Sequence, residues 1–342
     1  MERQGKYIYG ILSSNKELFF GSYGATSRED VYTVSCKDIA AVISDSEIIN
    51  YTHIGRETLA LFLLGHQRVI EEVMGSGHTI IPVKLGTFAK DEAEVKEILV
   101  NGYSLIKGIF ANIFNKIEID VCATWGDYNS AIKEVGEERG IKELKEKLLA
   151  DSKGITVDDQ MKIGFMLKKA LDKKRDGFTL KIQETLKAIS LDSRAHELMD
   201  DKMVANLAFV IDRDNQKTFD REVEKLNIEF DEKLNFRCVG PLPPYSFCTL
   251  EVKKLEFEEI VWAKEKLGLL NESAAKQDIK KAYQTKAISF HPDKNPGAPV
   301  AEKEFNDVSR AYKALLEYCQ GESCSFKEGD FKKSSILVKV RE

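Results

Sequence analysis

The sequence is poor in proline, in paired cysteines and in long apolar runs. Only 7 of its 342 residues are proline. Pro241, Pro243 and Pro244 crowd one stretch and Pro292, Pro296 and Pro299 another, so most of the chain lacks the residue that breaks helices and sheet ladders. The 6 cysteines (Cys36, Cys122, Cys238, Cys248, Cys319 and Cys324) include no Cys-x-x-Cys pair. They read as reduced packing residues of a cytosolic protein. No histidine stands at ligand spacing to a cysteine cluster, so zinc is not expected. The longest apolar run, Leu59–Leu64, is far short of a membrane span. Residues 1–6 lead into a β-like run with no h-region of a signal peptide. A soluble, cytoplasmic protein is therefore expected. Charge of one sign is also missing: 51 basic residues are mixed with 56 acidic ones for a net −5, and no Lys/Arg block marks a nucleic-acid footprint. Gly75-Ser76-Gly77 lacks the Gly-Lys-Ser/Thr ending of a phosphate loop. With no nucleotide, metal or hydrolase signature, neither an enzyme nor a cofactor is expected.

What is present is enough chain for two or three domains. Strands are expected at 6–12, 31–34, 38–44, 79–87 and 117–121, from runs of aromatic and branched residues or strict alternation. A helix is expected from Arg56 to Met74, with Leu59, Phe62, Leu63, His66, Val69, Ile70 and Val73 on a broad apolar face. A second is expected over 91–114. Between 127 and 200 charge dominates and helical spacing recurs, which suggests an exposed helical arm broken at 151–154 and at Asp176-Gly177. Strand, helix and strand then return at 203–211, 219–226 and 236–239. Gly240–Phe247 should be extended and rigid, a connector at a sheet edge. His66 reads as a satisfied core histidine and His78 as a solvent-facing one.

The sharpest pattern lies at 275–318. Ile279, Tyr283, Ala287 and Phe290 fall on one helix face, and Phe305, Val308, Tyr312 and Leu315 on another. The link between them holds three prolines, so the first helix should end near Phe290. The product is a helical hairpin with a stiff polar tip. His291 has no nucleophile or acid arranged for catalysis and no metal partners. One reading is a plain turn in which Asp293 caps a backbone N–H. The other is an interaction tip, where Pro292 holds His291 and Asp293 outward with little entropy left to lose on docking. Lys276, Lys280, Lys281 and Lys286 against Asp278 give the first helix a net +3, a face suited to an acidic partner.

These residues resemble the J domain of DnaJ-type co-chaperones. The match runs through Ile279–Tyr283, His291-Pro292-Asp293-Lys294-Asn295-Pro296-Gly297 and Phe305–Tyr312, with Leu267-Gly268-Leu269 as the family's short leading segment. The resemblance implies docking onto a DnaK-type chaperone through His291, Pro292, Asp293, Lys280 and Lys281. It also implies a core of Ile279, Tyr283, Phe290, Phe305, Tyr312 and Leu315. The chain departs from the family at Gln284, Thr285 and Ser289, where basic residues are common, and at Lys286, where an apolar one is usual.

A second resemblance covers 6–247. Tyr7–Ile11, Asp38–Ser44, His66–Glu71, Ile81–Thr87, Trp125 and Gly240–Phe247 are similar to motifs of the GvpF/GvpL gas vesicle protein family, in the same order. Lys84-Leu85 stands where that family often has Arg-Phe, and Leu242 where it has Trp.

The expected architecture is α+β. It has two α+β, ferredoxin-like domains at 1–115 and 116–256, the second with the helical arm. An all-α J domain at 257–322 and a tail at 323–342 follow. Phe247–Val252 and Ser335–Val340 both read as strands, so the J domain is expected to be inserted between two paired strands of the second domain, with 335–341 completing it. The expected function is gas vesicle assembly: binding the hydrophobic shell protein, working with other gas vesicle accessory proteins, and recruiting DnaK. An amphipathic shell subunit exposes apolar strand or helix surface and needs a holding partner. The alternative is a general DnaJ-like co-chaperone with a broad client range. No nucleic acid and no membrane span are expected.

Overall fold

The computed structural model describes residues 4–23, 29–49, 54–150 and 155–341. The chain forms two units, one of 1–110 with 249–342 and one of 111–248.

The first unit begins with strands β1 (Gln4–Leu12), β2 (Phe19–Ser22), β3 (Asp30–Cys36) and β4 (Ile39–Glu47). Helix α1 (Arg56–Gly75), strands β5 (Ile80–Pro82) and β6 (Phe88–Ala89), and helices α2 (Glu92–Asn101) and α3 (Tyr103–Ile113) follow. The sheet order is β2-β3-β4-β1-β5, with β6 also on β1. Central β1 and β4 are buried on both faces from Tyr7 to Leu12 and from Ile39 to Ser44. That is why they read as continuous apolar runs and not as alternating ones. Each fully buried Ile, Leu or Val among them contributes about 1.5–3 kcal/mol.

Three expectations change here. The strand at 79–87 is only three residues long, because Pro82 offers no donor and Gly86 turns the chain at φ 80. The helix at 91–114 is two helices meeting at Gly102, where a Cβ would come within 3.0 Å of Val338. The broad apolar face of α1 holds only in its second half. His66, Val69, Ile70, Val73 and Met74 are buried, whereas Leu59 and Leu63 are 36% and 51% exposed.

The second unit contains β7 (Lys116–Trp125), α4 (Tyr128–Gly136), α5 (Arg139–Leu149), α6 (Val157–Lys187), β8 (Asp192–Ala195), β9 (Met203–Asp212), α7 (Gln216–Phe230), β10 (Leu234–Leu242) and α8 (Tyr245–Cys248). The antiparallel order β10-β7-β9-β8 is the βαββαβ arrangement of ferredoxin-like sheets. The first sheet follows a different, meander-like order. The expected arm is largely part of this domain. Helix α6 buries Leu171, Ile182 and Leu186 and packs on β9. It also runs unbroken through Asp176-Gly177. Its start is fixed by a capping box, in which Asp159 N–H donates to the Thr156 hydroxyl and the Asp159 carboxylate accepts from Thr156 N–H. The other expected break, 151–154, lies outside the described residues. The proline-rich stretch does end an edge strand, β10, where a missing N–H is tolerated.

The C-terminal part returns to the first unit. It comprises β11 (Leu250–Lys254), α9 (Phe257–Leu267), β12 (Ser273–Ala275), α10 (Lys276–Phe290), α11 (Pro299–Tyr318), β13 (Ser323–Ser325), α12 (Glu328–Ser334) and β14 (Ile336–Val340). β11 pairs with β14, Leu250 opposite Val340 and Lys254 opposite Ile336, so everything between them is an insertion. The strand expected to complete the second domain instead sits with the first. Leu250 bridges Val83, its carbonyl accepts from Lys84 N–H at 2.8 Å, and Asn101 Nδ2 donates to Ile336 O at 3.1 Å. The expected tail at 323–342 is no tail over its described residues, 323–341: Phe326 and Phe331 enter the helical core. The first half of the strand expected at 247–252 is helix α8, which follows Pro243-Pro244.

Candidate functional site

The helical insertion is held by one apolar core. Ile279 of α10 and Val308, Ala311 and Leu315 of α11 are fully buried, with Ile260, Ala263 and Leu267 of α9. Tyr283 stacks on Tyr312, ring centroids 4.2 Å apart and 10° from parallel. Phe290 and Phe305 are half-buried at the distal end. The residues at steps of three and four therefore meet across the hairpin. Lys286 is half-buried with the end of its side chain, Cε and Nζ, over Gly268, the left-handed residue that ends α9 at φ 75. Sequence reasoning missed the share of Trp262, Phe326 and Phe331, which lie outside the two periodic helices, and of Tyr318 at the end of the second.

The tip is a compact exposed turn. Helix α10 ends at Phe290, and His291 leaves helical geometry at φ −58, ψ 135, as the following proline requires. His291, Pro292 and Asp293 are all exposed. The His291 ring stands edge-on to Phe305, with centroids 5.6 Å apart at 85°. Asp293 N–H donates to His291 Nδ1 at 3.2 Å, which places the ring proton on Nε2. The Asp293 carboxylate lies 3.5 Å from the same nitrogen. The turn is closed by Asn295, which meets open carbonyls, and not by an Asp293 cap on a backbone N–H. Asn295 Nδ2 donates to Ser289 O at 2.9 Å and to His291 O at 3.2 Å, and its N–H also reaches His291 O at 3.1 Å. Asn295 thus satisfies carbonyls left open where α10 stops. Lys280 and Lys281 are exposed on α10. Exposed imidazole, carboxylate and ammonium groups on a rigid turn suit docking, and nothing among them forms a nucleophile–base pair.

A second set of motif residues converges inside the first unit. The Tyr7 hydroxyl lies 2.8 Å from His66 Nδ1, Gly86 N–H approaches the Tyr7 hydroxyl at 3.4 Å, and the Tyr9 hydroxyl lies 2.9 Å from the Ser44 hydroxyl. His66 is 3% exposed and also bonds the Val83 backbone. Burial pushes its pKa down to about 4, so the ring is neutral and structural. His78 is half-buried, not solvent-facing, with its ring edge-on to Phe20 at 5.8 Å.

The second unit has its own buried network. Glu118 accepts from Ser246 N–H at 2.9 Å and from the Ser246 hydroxyl at 2.7 Å, which ties the proline-rich motif to β7. Burial, and Asp120 two residues along the same strand face, raise the Glu118 pKa well above the usual carboxylate range. Leu242, where the family has Trp, is buried.

Residues 5–249 match the family described as gas vesicle synthesis protein GvpL/GvpF. The chain belongs to this family. Residues 265–318 match the DnaJ domain, so this GvpL/GvpF chain carries a J domain. Gas vesicle protein F of Nostoc sp. (strain PCC 7120 / SAG 25.82 / UTEX 2576) is 22% identical over 72% of this chain and 98% of that protein. Gas vesicle protein F1 of Halobacterium salinarum is 21% identical over 72% of this chain and 93% of its own length. The crystal structure of GvpF from Anabaena sp. PCC7120 superposes with a TM-score of 0.61 at 22% identity, covering 71% of this chain and 98% of that one. That likeness establishes the shared fold. The chaperone protein DnaJ of Chlamydia pneumoniae is 50% identical over 48 residues, 14% of this chain and 12% of that protein. The family implies association with gas vesicles, and a J domain implies a DnaK-type partner. Among the described residues no helix is long and apolar enough to cross a membrane.

Proposed function

We propose that this GvpL/GvpF chain is a non-enzymatic assembly factor that holds the hydrophobic gas vesicle shell protein and brings a DnaK-type chaperone to it. The family domain selects the client, and the exposed tip His291-Pro292-Asp293, with Lys280 and Lys281 about three turns back along α10, engages DnaK. The observation that supports this reading is the insertion itself. The J domain sits between paired strands β11 and β14, within the same folded unit as the family's first sheet. A chaperone recruited there acts at high local concentration on whatever the family domain holds. Two measurements test it. DnaK ATPase stimulation should be strong for wild type and largely lost for His291→Gln, and equal stimulation by both refutes the docking role. A pull-down should be dominated by the shell protein, whereas a broad client spectrum marks a general co-chaperone.

A further inference from the structure

Residues 84–88 belong to a motif that the J-domain site leaves unused. They line an open cavity of about 490 Å³ in the first unit, within the size range of ligand-binding clefts. Its apolar wall is Ile48, Leu85, Phe88 and Val252, and Ile48 is 40% exposed. The remaining side is the edge of β11.

The pairing of β11 decides which of its main-chain groups are free. Arg341 N–H donates to Thr249 O and Leu255 N–H to Ser335 O, each at 2.8 Å. Antiparallel hydrogen-bonded pairs alternate, so Thr249, Glu251, Lys253 and Leu255 face β14. Leu250, Val252 and Lys254 therefore direct their N–H and C=O groups the other way, and Val252 and Lys254 line the cavity. Leu250 O is taken by Lys84 N–H at 2.8 Å. The main-chain groups of Val252 and Lys254 have no protein partner among the described residues. Two donor–acceptor sets spaced two residues apart match the repeat of an extended backbone. The charged groups at the rim are already paired with one another. Lys84 Nζ lies 2.5 Å and Lys339 Nζ 3.7 Å from Glu251, and Lys254 Nζ lies 2.7 Å from Glu94. An uncharged occupant leaves these pairs intact, whereas a charged one competes with them.

We propose that this groove takes an extended, uncharged apolar segment of the shell protein, which adds as a strand along the open edge of β11. The inference rests on the proposed client-holding function and names its site. Captured there, the client lies against the strand that leads directly into the J domain.

The test compares shell-protein affinity for the full chain, for Val252→Pro and for Leu85→Glu. Proline at 252 deletes the donor that faces away from β14 and leaves the bonds of Glu251 and Lys253 to β14 in place. Leu85→Glu puts an unpaired charge on the apolar wall and checks the site without altering β11. Both variants should bind the shell protein about tenfold more weakly, with thermal unfolding and DnaK ATPase stimulation close to wild type. A wild type that binds while both variants bind equally well overturns the groove but not the function. A wild type that fails to bind overturns both. Concentration-dependent dimerisation that Val252→Pro abolishes, with shell-protein affinity unchanged, assigns the edge to a second copy and also refutes the proposal.

Discussion

Mild acid should destabilise the first unit through one residue, His66. The ring is enclosed by Tyr7, Tyr9 and the Val83 backbone, which leaves no room for hydration of an imidazolium. Its folded pKa of about 4 lies below the ordinary 6.5. Between those values the unfolded chain binds the extra proton and the folded one does not, so stability falls as pH falls through this window. Each pKa unit corresponds to about 1.4 kcal/mol, so the loss relative to pH 8 approaches about 2 kcal/mol at pH 5 and about 3 kcal/mol once the folded ring also protonates. The assay is urea unfolding followed by Trp262 fluorescence in a Trp125→Phe background, since Trp262 lies in the first unit. His66→Asn keeps a hydrogen-bonding side chain but cannot titrate. Wild type should lose about 2 kcal/mol more than His66→Asn between pH 8 and pH 5. Parallel pH profiles for the two proteins refute the argument, because acidic groups common to both then account for the whole slope.

Three further outcomes are expected. Asn295→Ala removes two exposed side-chain hydrogen bonds from the tip, worth about 1 kcal/mol together; DnaK stimulation should fall severalfold while global unfolding hardly shifts, and full stimulation would show that the turn orders itself. Glu118 is raised from 4.5 to about 8, so its contribution is complete below 4.5 and is lost as pH climbs through 8. Wild type should therefore weaken toward pH 9 by Trp125 fluorescence, and Glu118→Gln should flatten that decline; an undiminished decline counts against the carboxyl. Gly102→Val drives a side chain into Val338 and should cost about 1–3 kcal/mol through overpacking. The signature is faster amide exchange at Ile336–Val340, and unchanged exchange there means that β14 does not depend on α2.

The elements that were legible in the sequence are those whose burial writes a pattern. β1, β4 and β9 are sheathed on both faces and appear as apolar runs, and β7 alternates over its first half. The hairpin was legible because two 3.6-residue stripes flank a proline-bearing link. β8 was not, because Asp192–Ala195 is a polar, mostly exposed edge strand. Gly177 looked like a break. Inside a helix of 31 residues it costs about 1 kcal/mol, which buried Leu171, Ile182 and Leu186 outweigh. Leu59 and Leu63 misled in the opposite sense, since apolar spacing reports what a helix offers and not what covers it. At the tip, His291, Pro292 and Asp293 stood out by identity. The role of Asn295 emerged only when its amide was seen to close the end of α10.

The mounting of the J domain bears on how the two halves cooperate. Glu317 of α11 meets Lys253 and Lys339 of the β11–β14 ribbon, with Lys339 Nζ at 2.9 Å. Such exposed pairs contribute at most about 1 kcal/mol each, so they do not by themselves hold the domain in place. The stronger restraint is topological. Both ends of the insertion are tied into one strand pair, and the helical core reaches from Leu255, just past β11, to Phe331, just before β14. Loosening the helices therefore exposes that core and strains the ribbon together. A J domain on a single flexible linker samples a wide volume and dilutes its own effect with linker length. An insertion with both ends closed gives up that reach. Its fixed distance suits a client presented at one place and one step, which is the economy expected of a dedicated assembly factor and not of a chaperone that meets many clients.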